Sequence, residues 1–168
     1  TNRTNSKLVR VGVGNLDNDK YADIVLTFVQ SDQQTIQVVY LEYQPGYIAN
    51  DGVTTAKNIQ ERASVTFAPD LAYNDVQMTL ANLHGDGLDS VVVGWNFTSD
   101  QSVGLLAWDF KASNGVPQFT YAGANHTGPN LKSFSLASGD LYGEHRDEVL
   151  VGYNWNGVMG VDTYQWSQ

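Results

Sequence analysis

The sequence predicts an all-β fold made of four-stranded antiparallel units, three of them within 168 residues. Three observations point there. Gly, Asn, Thr and Tyr are plentiful while charged residues make up only 16% of the chain, a composition that suits strands and turns better than helices. Apolar residues fall at alternate positions or in short unbroken runs, the patterns of half-covered and fully covered strands. One acidic corner occurs three times at a spacing of roughly 60 residues, the length of a supersecondary unit that needs neighbours to bury its faces.

The corner begins Gly14-Asn15-Leu16-Asp17-Asn18-Asp19 and continues through Asp23 into Ile24-Val25-Leu26. Side-chain oxygens at alternate positions, Asn15, Asp17 and Asp19, with Asp23 to follow, let a curled loop aim them at one centre, as a hard cation requires. Without a cation, carboxylates about 5 Å apart repel by roughly 1–3 kcal/mol per pair. A solvated acidic turn accounts for the same residues. The stretches beginning Ala81-Asn82-Leu83-His84 and Gly139-Asp140-Leu141-Tyr142 align with the corner without a gap. Two further copies turn the question from a site into an array.

Before each corner lies an alternating strand. Val9, Val11 and Val13 oppose Arg10 and Gly12; Val76, Met78 and Leu80 oppose Gln77 and Thr79; Phe134, Leu136 and Ser138 oppose Ser135 and Ala137. Each is expected to be half buried through its apolar side. After each corner come the continuous runs 24–28, 91–95 and 149–153, expected to be covered on both faces. Third strands follow at 38–43, 105–110 and 161–166, and fourth strands at 63–67 and 118–122; residues 57–62 offer a helical turn as an alternative. Four antiparallel strands per unit match a β-propeller blade. The units span 7–70, 74–125 and 131–168, and the last lacks a fourth strand. Three blades are too few for a ring. The chain is therefore expected to be a segment of a larger propeller, or a protomer that closes with copies of itself, most simply as a six-bladed ring of two chains.

A net charge of −9 and the absence of a basic stripe exclude nucleic acid as the expected partner and disfavour an anionic membrane surface. No apolar run reaches the length of a membrane-spanning helix, so membrane insertion is not expected. With no cysteine there is neither a disulfide nor a thiolate metal site. Sequons at Asn2, Asn96 and Asn125 favour a secreted, glycosylated protein.

With Asn15, Asp17, Asp19 and Asp23 leading into an apolar strand, the unit resembles the FG-GAP/VCBS repeat, the blade of the integrin-α-like β-propeller. The resemblance covers most of the chain. It implies calcium in the corner loops and extracellular binding of glycans or proteins. Carried onto this sequence, it assigns Asn15, Asp17, Asp19 and Asp23 as side-chain ligands in the first loop, with the Tyr21 carbonyl. Lys20 stands where the family usually has glycine. The second loop keeps Asn82 and Asp86, has Gly87 at the glycine position, replaces an oxygen ligand by His84, and has Ser90 in place of the final carboxylate. The third keeps Asp140, Glu144 and Glu148, with Tyr142 breaking the pattern.

No phosphate-cradling loop, nucleotide fingerprint or nucleophile elbow is present, and His84, His126 and His145 lack metal-binding spacing. Aromatic residues recur at matched positions, which suits packing between units; stacking on sugar rings is the sharper alternative, with Trp95, Trp155 and Trp166 as the candidates. Three functions follow. The first is a non-catalytic extracellular recognition module for glycan or protein. The second is part of a secreted polysaccharide-degrading enzyme, since some polysaccharide lyases resemble calcium-bearing propellers of this kind. The third is a structural adhesion or scaffold segment.

Overall fold

The computed structural model describes residues 6–19, 21–30, 35–43, 59–68, 73–97, 99–113, 116–128 and 131–166. They form eleven strands in three antiparallel sheets, with no helix among the described residues. Sheet 1 runs in chain order through β1 (Ser6–Gly14), β2 (Asp23–Gln30), β3 (Thr35–Tyr43) and β4 (Ile59–Phe67). Sheet 2 repeats that order with β5 (Tyr73–Ala81), β6 (Ser90–Phe97), β7 (Val103–Ser113) and β8 (Val116–His126). Sheet 3 holds β9 (Leu131–Gly139), β10 (Glu148–Trp155) and β11 (Val158–Tyr164). The fourth strands start earlier than the apolar pattern suggested, because ladder hydrogen bonds to β3 and β7 carry Ile59 and Val116 into the sheet whatever their side chains face.

Sheet 2 lies between the other two. The first strands pack in series, β1 on β5 and β5 on β9, and β4 packs on β8. This explains the unbroken apolar run of β6, which is buried over nearly its whole length. Val91, Val93 and Trp95 belong to the core shared with sheet 1, where they join Val25, Val38, Tyr40 and Val76. Val92 points the other way, into a second core with Leu105, Phe134, Val149, Val151 and Trp166. Fully burying each such aliphatic side chain is worth about 1.5–3 kcal/mol, and β6 contributes to both cores.

The expectation for β1 is reversed. Val9, Val11 and Val13 are 55%, 66% and 65% exposed, while the side with Arg10, Gly12 and Gly14 faces sheet 2. Arg10 donates to Asp75 at 3.0 Å and to Gln77 at 3.2 Å. The two glycines leave room for what comes across from sheet 2: a Cβ on Gly12 would meet Met78 at 2.9 Å, and one on Gly14 would overlap the Asp89 carboxylate. Alternation identified the strand but not which side is covered, since glycine can form a packing face by receiving a neighbour's side chain.

Gly94 shows the same device in β6. A Cβ there would lie 2.9 Å from the Phe134 ring and 3.1 Å from Leu136. Gly152, at the matching place in β10, meets only Ser135 Oγ at 3.2 Å. Gly94→Leu should therefore lower stability by roughly 1–3 kcal/mol or more through overpacking, whereas Gly152→Leu should change it by less than about 0.5 kcal/mol. Urea midpoints of the two variants against the parent chain check the contrast.

Candidate metal centre

The three corner loops share a backbone form. Asn18, Gly85 and Gly143, at matching positions, have φ of 63°, 72° and 72°. Asn is among the few side chains that tolerate this left-handed conformation. Lys20, where the sequence departs from glycine, lies outside the described residues.

In the first loop the hydrogen bonds are local. Asn15 Oδ1 accepts from the Asn18 N–H at 3.1 Å, Asp17 from Asp19 at 3.1 Å, and Asp19 from Tyr21 at 2.6 Å. Asp23 is buried and accepts from the Leu16 N–H at 2.7 Å. Tyr40, on β3, reaches two carboxylates at once, Asp23 Oδ1 at 2.8 Å and Asp17 Oδ2 at 3.0 Å. One phenolic proton is shared between two acceptors. Burial raises the Asp23 carboxyl above its usual range, with the charges of Asp17 and Asp19 adding to it, and together they outweigh the Leu16 and Tyr40 hydrogen bonds. Burial, then Asp23 and Asp17, push the Tyr40 phenol far above its ordinary value, so it stays a donor.

Asp17 and Asp19 converge with Glu42 of β3, their ligand atoms all within 4.8 Å of one another. Glu42 Oε2 is buried, lies 2.8 Å from Arg62 Nε, and accepts no well-directed hydrogen bond. The donors are all oxygen, the set a hard cation accepts. Glu42 is not among the sequence candidates for this loop. Both Asp23 oxygens are engaged by hydrogen bonds, and the Asn15 amide donates away from the loop, to the Gly87 carbonyl at 2.9 Å.

The second loop carries its own counterions. Asp109, matched to Glu42, receives Ser90 Oγ at 2.7 Å, His84 Nε2 at 3.0 Å and Lys111 Nζ at 3.2 Å. His84 is thus a hydrogen-bond partner of Asp109, while Asp86 caps its own loop by accepting from the Leu88 N–H at 3.0 Å. Ser, His and Asp meet here in the wrong order for a nucleophile. The carboxylate stands in the middle, and Ser90 gives its proton to Asp109 rather than to a histidine base. In the third loop Glu148 is buried and accepts from Leu141 N–H at 2.8 Å and Gln165 Nε2 at 3.1 Å. Glu144 pairs with Arg146 at 2.7 Å, and Asp140 accepts the Glu144 and His145 N–H groups, both at 2.9 Å.

Neighbouring loops are joined by a clasp that has no counterpart in the sequence reading. Asn15 N–H donates to Asp89 Oδ2 at 2.8 Å, and Asp89 N–H returns a bond to the Asn15 carbonyl at 2.6 Å. Asn82 and Asp147 repeat this at 2.9 Å in both directions. The Asn82 amide also reaches the His145 carbonyl at 3.3 Å, as that of Asn15 reaches Gly87. The signal was present as an aspartate one place before the final ligand position in loops two and three.

Of the candidate tryptophans, Trp95 and Trp166 are buried, contrary to a role as exposed platforms. Trp95 packs on Phe67 and Phe97, and Trp166 lies against Gly123. Trp155 is 49% exposed. Asn96, within a sequon, is also buried, its amide donating to the Leu131 carbonyl at 3.0 Å, which leaves no room for a glycan in the folded chain. Asn125 is exposed, and Asn2 lies outside the described residues. No protein-family model, curated protein or solved structure matches this chain.

Two predictions follow from these contacts. Asp89→Ala removes a charged acceptor from the Asn15 N–H and should cost roughly 1–3 kcal/mol in a urea titration. Burial of Asp109 is outweighed by its bonds from Ser90, His84 and Lys111, which hold its carboxyl below the usual range. Its contribution is therefore present above the ordinary aspartate value and lost as pH falls through the lower folded value. Stability measured from neutral to strongly acidic pH should decline less steeply in Asp109→Asn than in the parent.

Proposed function

We propose that the chain is a non-catalytic extracellular recognition module, built of propeller-type repeats and braced by calcium at the first corner. The observation that carries the reading is the contrast among three equivalent loops. In the second, Lys111 and His84 reach Asp109; in the third, Arg146 pairs with Glu144 and Gln165 donates to Glu148. In the first, among the described residues, Arg62 meets only Glu42. In the first, no ion pair to Asp17, Asp19 or Asp23 occurs among the described residues. Asp17, Asp19 and Glu42 would hold the ion, which would offset their repulsion and that of the desolvated Asp23 behind them. Recognition is assigned elsewhere, to the exposed Trp155 at the β10–β11 hairpin, an aromatic face of the kind that stacks on a sugar ring.

Calcium should raise the melting temperature of the parent chain, and the increment should vanish in Asp17→Asn/Asp19→Asn. On a glycan array, binding should fall with chelator, and Trp155→Ala should abolish it without changing the melting temperature. Unsaturated oligosaccharide products from an acidic polysaccharide would overturn the reading in favour of a lyase. A melting temperature indifferent to calcium would remove the brace.

A further inference from the structure

We propose that the outer face of sheet 3 and the outer face of sheet 1 are two halves of one interface, which a second copy of this chain brings together head to tail. The inference rests on reading the sheets as successive copies of one unit, and is independent of calcium and glycan binding.

The chain makes this interface twice internally, with an incoming side whose apolar composition recurs. The incoming side is the apolar edge of a first strand: Val76, Met78 and Leu80 of β5 against sheet 1, and Phe134 and Leu136 of β9 against sheet 2. In sheet 2 the receiving side is Gly94, whose missing Cβ admits Phe134, and Asn96, whose amide holds the Leu131 carbonyl at 3.0 Å. Sheet 3 carries the same two residue types in the same register. Gly94 lies between Gln77 and Leu105, and Gly152 lies between Ser135 and Val161, with Asn154 two places on as Asn96 is from Gly94. Around Gly152 is an open groove of about 680 Å³ lined by Ser133, Ser135, Asn154, Met159 and Val161.

The complementary half is on β1. Val9, Val11 and Val13 match Val76, Met78 and Leu80 in position, and Val11 and Val13 stand beside Leu26 and Ile24 of β2. Although the chain carries a net charge of −9, no residue lining the groove and none of the three valines is an acid or a base of the Asp, Glu, Lys or Arg kind, so two copies can meet there without opposing carboxylates. Apolar residues exposed on both faces give the contact its driving force.

The corner clasp is missing from both outer faces. Ala22 stands where Asp89 and Asp147 stand in the later loops, so the carboxylate acceptor is lost, and Asp140, whose side chain has no amide to add the further bond, stands where Asn15 and Asn82 do. Contact between copies therefore forms without the bonds that lock the internal interfaces, and is weaker and reversible. A heterologous contact of this kind either closes a ring or extends a chain.

Sedimentation of the 168-residue chain over a concentration series tests this. The weight-average mass should rise reversibly above 18.4 kDa. Val11→Asp and Gly152→Leu, each at an open position, should each return it to the monomer. Mixing these two variants should restore a one-to-one complex and nothing larger, since each keeps one intact half. Ala22→Asp with Asp140→Asn installs the clasp and should tighten association by about tenfold. A monomer at every concentration in both the parent and the clasped variant would overturn the proposal. So would association that survives either single variant, or a mixture that stays monomeric.

Discussion

The stack depends on a reciprocal pair of hydrogen bonds between successive corners. Asp89 binds the backbone of Asn15, and Asp147 binds that of Asn82, each returning its own N–H to the same residue. Apolar packing between sheets is strong but slides easily, because rows of valine look alike to one another. The clasp sets the register. It also places a carboxylate close to Gly14, which explains why that residue carries no side chain. Asp89 tolerates the cost: burial raises its carboxyl above the usual range, with Asp147 adding repulsion, even though the Asn15 N–H favours the charged form.

Around this shared framework the three corners have diverged in how they balance charge. The third-strand position that holds Glu42 in sheet 1 holds Asp109 in sheet 2 and Gln165 in sheet 3. The acid at the end of the loop changes alongside it, from Asp23 to Ser90 to Glu148. Where the third strand keeps an acid and the loop loses one, His84 and Lys111 have moved in. Where the loop keeps a longer acid, a neutral glutamine meets it. The left-handed residue at the matching place in each loop is kept, so the corner holds its shape while its charged partners change.

Much of the architecture was legible in the sequence because it depends on local patterns. Unbroken runs such as Val91-Val92-Val93 read as strands covered on both faces, and β6 is one. The recurrence of the corner located all three loops. What remained hidden depends on placement across the sheet. Glu42 and Tyr40 lie far from the loop in sequence and join Asp17 only through the pairing of β2 with β3. The outward turn of Val9, Val11 and Val13 was hidden because alternation reports a period, not a direction. Trp95 and Trp166 were offered as platforms because exposure cannot be read from residue type, and both fill glycine-made spaces between or within sheets.

The clasp also has a direction along the chain. Each corner is secured by a carboxylate that lies later in the sequence, Asp89 for Asn15 and Asp147 for Asn82. During synthesis the first sheet can complete its four strands while its corner still lacks the acceptor that fixes it. Only when the second corner has emerged does the first one lock, and the second then waits for the third. The clasp thus makes each of the first two corners depend on residues that come after it in the chain. A chain paused between corners would present one settled sheet bearing an unlatched loop.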